Sequence, residues 1–155
     1  MIDSVHKILE NIKIPNLMKK LLLIPILMLV ALVGYSQTTK LTVNIKFVGI
    51  EEGYDHETKS VVLIDGEEIA FSPNTLQSKT GAFTVDVPQG SHQLKVVNYA
   101  LYEGNWEEHT VANEYSIDCL YEETHTFKKP EKLYLLFDID SGTTASWKKP
   151  VKMKK

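Results

Sequence analysis

Arginine is absent from this chain, and all 17 basic residues are lysine. The planar fork that reads phosphate, carboxylate or guanine through paired hydrogen bonds is therefore missing. Sequence-specific nucleic-acid recognition is a poor reading from the start. Cysteine occurs once, at Cys119, which excludes an internal disulfide framework and any CxxC zinc or redox site. Eight glycines and six prolines are too few for a collagen-like or low-complexity chain. The closest glycine pair, Gly49 and Gly53, is too widely spaced for a phosphate-cradling GxGxxG loop. No GxSxG elbow occurs. His56-Glu57 opens like HExxH, but Ser60 stands where the second histidine is needed.

Long apolar runs are also scarce, with one exception. Residues 21–33 read LLLIPILMLVALV, preceded by Met18-Lys19-Lys20 and followed by Gly34-Tyr35-Ser36. A basic start, a short apolar stretch and small residues at the end describe a secretory signal peptide. The run is shorter than the roughly 20 apolar residues a spanning helix needs, and Pro25 interrupts it. The signal peptide is read over 18–36, with cleavage expected between Ser36 and Gln37. No cysteine follows the run to take a lipid. Residues 1–17 form an N-terminal extension. It is read as an over-extended reading frame whose true start is Met18, or else as a short amphipathic helix bearing Ile2, Val5, Ile8 (or Leu9) and Ile12. The expected destination is the periplasm or the exterior, and the mature chain is 37–155.

Export changes the charge arithmetic. Between residues 37 and 147, eight lysines face 18 acids, which leaves that body at −10. Five lysines crowd the last eight residues, KKPVKMKK. An acidic body repels phosphate backbones, so nucleic acid is set aside as a partner. Membrane contact is expected only through the signal peptide, or weakly through the lysine-rich tail.

Period-two alternation dominates the mature chain. Leu41, Val43, Ile45 and Phe47 share one face, while Thr42, Asn44 and Lys46 share the other. Residues 51–58 read as a polar loop. Val61–Ile64 ends at the turn dipeptide Asp65-Gly66, and Glu68–Phe71 resumes. Phe83, Val85 and Val87, then Pro88-Gln89-Gly90, then His92, Leu94 and Val96 are read as a hairpin. Further strands are expected at Trp106–Val111, Tyr115–Leu120, Thr124–Phe127 and Leu133–Ile139. Beyond Asp140 the chain is expected to fray. No window shows a 3.6-residue period. The pattern predicts an all-β, antiparallel β-sandwich of about seven strands over 37–140, followed by a lysine-rich tail at 141–155.

The strand VVLIDGEE and the pattern Gly-x-Phe-x-Val-Asp-Val-Pro-x-Gly-x-His-x-Leu-x-Val from Gly81 to Val96 carry a likeness. This stretch resembles PEGA-type and carboxypeptidase-regulatory-like (transthyretin-like) β-sandwich modules of bacterial envelope proteins. Those families often place Gly-Tyr after the second arm, where this chain has Asn98-Tyr99-Ala100. The Tyr-Ser-Gln ending of the signal, with the arginine-free composition, is similar to secreted proteins of the Bacteroidetes type. The resemblance implies an immunoglobulin-like or transthyretin-like sandwich acting as a non-catalytic accessory or binding module. It brings no catalytic residues and no cofactor.

Candidate chemistry is sparse. His109 follows Glu107-Glu108 and His125 follows Glu122-Glu123, so converging strands could offer two imidazoles and two carboxylates to zinc or copper. The plainer reading makes them charged faces of edge strands, and no metal site is assigned. Asp138-x-Asp140-Ser141-Gly142 opens like a calcium loop, but its twelfth position is Lys149 rather than a bidentate glutamate. Cys119 shares parity with Tyr115, Ile117 and Tyr121 and is read as core. Aromatics concentrate in the second half. Tyr102, Asn105 and Trp106, within Tyr102-Glu103-Gly104-Asn105-Trp106, are the candidate binding residues for a protein or glycan of the cell envelope. The leading expectation is an exported binding module. A carbohydrate-binding module using exposed aromatics is the first alternative, and a small extracytoplasmic metal-dependent hydrolase the second.

Overall fold

The computed structural model describes residues 37–79 and 81–150. The expected signal peptide, the 1–17 extension and the last five residues lie outside the described residues. Ten strands are described: β1 (Thr38–Val48), β2 (Glu57–Ile64), β3 (Glu67–Phe71), β4 (Thr75–Leu76) and β5 (Gly81–Pro88), then β6 (Gly90–Tyr102), β7 (Asn105–Glu108), β8 (Leu120–Phe127), β9 (Glu131–Asp138) and β10 (Gly142–Ser146). They form two sheets. The first runs in the order β10-β9-β1-β5. The second runs β3-β2-β6-β7, with β4 also pairing β2 and β8 also pairing β6. Among the described residues no helix is long and apolar enough to cross a membrane.

The alternation in β1 does what its sequence demands. Leu41, Val43, Ile45 and Phe47 are buried and join Leu133, Leu135 and Phe137 of β9 in the core. The opposite face is polar and paired across strands. Lys40 Nζ meets Asp86 Oδ1 at 2.7 Å, and the hydroxyls of Thr42 and Thr84 lie 2.9 Å apart. The second sheet contributes Val62, Ile64, Leu94, Val96 and Phe127 to the same core. This is a β-sandwich: two sheets, each with one face turned on a shared apolar layer.

Four expectations are corrected. Residues 83–96 do not form a hairpin. β5 pairs with β1 and β6 pairs with β2 and β8, so the two arms belong to different sheets. Their apolar residues meet across the core instead of side by side. Pro88-Gln89-Gly90 is the corner between layers: Gly90 sits at φ 122°, and the Gln89 N–H donates to the Gln37 carbonyl at 2.7 Å. Alternation reports which face is buried, and it is blind to which neighbour a strand takes.

Tyr115–Leu120 is not a strand. A short 3-10 turn, Val111–Asn113, ends at Glu114 in the left-handed region (φ 67°). The chain after it is held as a loop, with Cys119 N–H donating to His109 O and Asn98 N–H to Cys119 O. Its alternating Ile117 and Cys119 still plug the core. The strand expected at Trp106–Val111 stops at Glu108.

The expected fraying after Asp140 also fails for the described part of the tail. Ser141 N–H donates to Asp138 O, Gly142 takes φ 91°, and β10 returns antiparallel along β9 from Gly142 opposite Asp138 to Ser146 opposite Tyr134. The expected all-β, antiparallel-rich sandwich is what forms; among the described pairings β1 and β9 alone run parallel, from Leu41 opposite Glu131 to Val48 opposite Asp138.

Candidate functional site

The pleat of β6 sends Leu94, Val96, Asn98 and Ala100 inward and Lys95, Val97, Tyr99 and Leu101 outward. Its partners repeat the division. Lys59 lies opposite Tyr99, and Val61 opposite Val97, on the outer face. Trp106 of β7 stands opposite Leu101, and Phe71 of β3 opposite Val61. The outer face of the second sheet therefore gathers Phe71, Tyr99 and Trp106 around Lys59. The Lys59 ammonium lies 4.4 Å from the Trp106 ring centroid and 5.9 Å from those of Phe71 and Tyr99. Such contacts contribute about 0.5–1 kcal/mol at exposed sites. Phe71 remains 57% exposed.

Carboxylates border this platform. The Tyr99 hydroxyl donates to Glu108 Oε1 at 3.1 Å. Burial, followed by the charges of Glu108 and Glu68, pushes the Tyr99 phenol above its ordinary value, so it remains a hydrogen-bond donor. The surface offers aromatic faces, one cation and flanking acceptors. It has no nucleophile paired with a base.

The three candidate binding residues separate. Trp106 belongs to this platform. Tyr102 lies opposite Asn105 across the β6–β7 turn, where Glu103 (φ 48°) and Gly104 (φ 83°) reverse the chain. Period two places both on the other side of the sheet from Trp106. Tyr102 is exposed and meets His56 edge-on at 6.0 Å.

Lys59 and Phe71 were not among the candidates, for a reason of register. Counting back from the Asp65-Gly66 turn puts Phe71 opposite Ser60, on the inner face. A bulge at Val62/Leu63 shifts the pairing by one, bringing Phe71 opposite Val61 and onto the outer face. Two exposed glutamates and a short strand gave no sign of that extra residue.

The histidines of the two acidic clusters do not converge. His109 is 3% exposed, accepts from the Gln77 amide at Nδ1 (2.9 Å) and stacks on Tyr115 at 4.2 Å. Burial, with a smaller contribution from His56, lowers its pKa to about 4. His125 stands opposite His92 on β6, whereas the His109 N–H bonds to Asn98 O, six residues further along that strand. Six residues of strand span about 20 Å. Among the described residues no group of three or more His, Cys, Asp or Glu is arranged to hold a metal ion. Asp138 Oδ1 accepts the Asp140 N–H and so braces its own turn. Cys119 is a free thiol, fully buried, and burial pushes its pKa up.

No protein-family model matches the chain, and no curated protein matches it in sequence. Several solved structures are similar to part of the chain. A protein from Eubacterium rectale is 13% identical with a TM-score of 0.41, over 74% of this chain and 91% of its own. The 5-hydroxyisourate hydrolase of Klebsiella pneumoniae is 14% identical with a TM-score of 0.43, over 72% of this chain and 100% of its own. A candidate cell adhesion protein from Bacteroides ovatus is 8% identical with a TM-score of 0.37, over 73% of this chain and 44% of its own.

Proposed function

We propose that this chain is an exported, non-catalytic binding module of the cell envelope, of the PEGA-like or transthyretin-like kind, and that it holds its partner on the outer face of the second sheet. The observation that carries the reading is the platform of Phe71, Tyr99 and Trp106 around Lys59, an aromatic patch on an otherwise acidic surface. Exposed aromatics beside a polar rim are the usual anchors of protein interfaces. The groups most suited to covalent or acid–base chemistry are committed elsewhere: Cys119 is sealed in the core, and His109 is buried against Gln77 and Tyr115. Export rests on the sequence of residues 18–36.

A photo-crosslinking side chain at Phe71 or Trp106, in cells that make the protein, is the direct test. The expected result is one discrete adduct from either position and none from Thr84 on the first sheet. Equal labelling from all three positions, or none from any, would overturn the reading. An adduct whose added mass is removed by a glycosidase would reassign the partner from protein to glycan. Mass spectrometry of the released protein checks export, with Gln37 expected as the first residue.

A further inference from the structure

A second site lies toward the other end of β6, where His125 pairs with His92, and is independent of the aromatic platform. There β8 ends beside the β8–β9 turn and the residues that follow β10. A cleft of about 380 Å³ opens between them, walled by Trp147, His125 and Pro130 and edged by Lys129, Lys132 and Lys149. Ligand clefts start at about 300 Å³.

The acids near this cleft are already committed. Glu131 Oε2 lies 2.6 Å from His125 Nε2. Glu123 Oε1 accepts the Trp147 indole N–H at 2.7 Å and lies 3.3 Å from His125 Nδ1. The cations are not. Among the described residues Lys40 pairs with Asp86 and Lys95 with Glu122, whereas Lys129, Lys132 and Lys149 form no ion pair. In a body of net charge −10, this is a place where unspent positive charge gathers beside an aromatic wall. Tyr134 adds a phenol to the lining.

We infer that this cleft is a binding site for an anionic sugar, a pyranose bearing a carboxylate or a phosphate. Its ring would lie against the Trp147–Pro130 wall and its charge among the three lysines. Point-charge ammoniums on flexible stems suit such a ligand, since they follow an anion without demanding planar geometry. The aromatic wall supplies what a free inorganic anion cannot use.

The test uses the full chain carrying Trp106→Phe, which leaves Trp147 as the single indole. Its fluorescence is followed during titration with oligogalacturonate, a hexose phosphate, neutral galacto-oligosaccharide and inorganic phosphate. A saturable change is expected with oligogalacturonate or the hexose phosphate, and whichever arm saturates identifies the anionic group. Lys129→Gln with Lys132→Gln should weaken that binding about tenfold, as should raised salt, with an unchanged melting temperature. Two-dimensional NMR of the Trp147 Nε1–H gives a second readout of the same titration. Equal binding of the neutral sugar, equal binding of inorganic phosphate, insensitivity to the lysine substitutions, or no saturation in any arm would each overturn the inference.

Discussion

The indole of Trp147 lies flat on the imidazole of His125, with ring centroids 3.8 Å apart and planes 16° from parallel. Trp147 follows β10 of the first sheet, whereas His125 belongs to β8 of the second. The stack therefore joins the two layers along one open flank, with the Phe127 ring meeting both partners edge-on. What looked like a charged edge face on β8 is the inner lining of a seam.

Replacing Trp147 by Ala should accordingly destabilise the whole sandwich. The change removes a half-buried indole, its stack on His125 and the hydrogen bond to Glu123. A loss of about 3 kcal/mol is expected in urea unfolding. Trp147→Phe keeps one ring of the stack and loses the second ring with the N–H, so about 1–2 kcal/mol is expected. Equal losses for the two would mean that the hydrogen bond, and not the stack, holds the seam.

Asn98 should be intolerant of change. Its side chain accepts from Thr58 Oγ1 (2.8 Å) and donates to Ser60 Oγ (3.0 Å) and to the Lys59 carbonyl (3.2 Å), and Asn98, Thr58 and Ser60 are all buried. Asn98→Ala takes away the partner of the Ser60 hydroxyl and of the Lys59 carbonyl, while Thr58 keeps its bond to the Tyr99 carbonyl (2.7 Å). A destabilisation of about 3 kcal/mol is expected by thermal or chemical denaturation. Asn98→Asp should cost more, because it buries a charge where a donor stood.

Acid sensitivity should come from His109. Its folded pKa, about 4, lies below the 6.5 of the free side chain. Below pH 6.5 the unfolded chain binds the proton and the folded one refuses it. Stability should therefore be flat above pH 6.5 and fall on acidification toward pH 4, by roughly 2–3 kcal/mol. His92 works the other way. Its hydrogen bond to Asp65 raises its pKa, so its contribution is complete below 6.5 and is lost as pH rises through the raised value. That pair is largely exposed and its effect is small. In His109→Gln the acid slope should flatten; an unchanged slope would assign the sensitivity to another group.

Cys119 should resist modification until the chain opens. The thiol is fully buried and its pKa is raised, so thiolate is scarce at neutral pH. A thiol reagent should label native protein orders of magnitude more slowly than urea-unfolded protein. The labelling rate should track the unfolding equilibrium as denaturant is added. Fast labelling of the native protein would place Cys119 at the surface.

Burial was legible in the sequence where alternation is strict. Leu41, Val43, Ile45 and Phe47, then Val85 and Val87, then Leu94 and Val96 all went to the core as their parity required. Cys119 did too, although its segment is a loop, because Ile117 and Cys119 point inward with the same spacing that a strand would give them. Partnership was not legible. Phe83–Val87 and His92–Val96 have the pattern of a hairpin because each lines the same core, from opposite sheets. The candidate site suffered from the same gap. Trp106 was visible as an aromatic beside a turn. Its companions Lys59 and Phe71 depend on a bulge that shifts register by one residue, and no local residue preference announces that shift.

The parallel pairing of β1 with β9 bears on how this chain folds. Leu41 finds its partner at Glu131, some ninety positions later, and the strand between β9 and β5 is the one nearest the N-terminus. β1, the first of the described strands, thus has no neighbour until β5 is made, and its second flank stays open until β9 is. Folds dominated by such distant pairings close slowly, in milliseconds to seconds. The late strand is the latch: until β9 is in place, one edge of β1 and one wall of the shared core stay open.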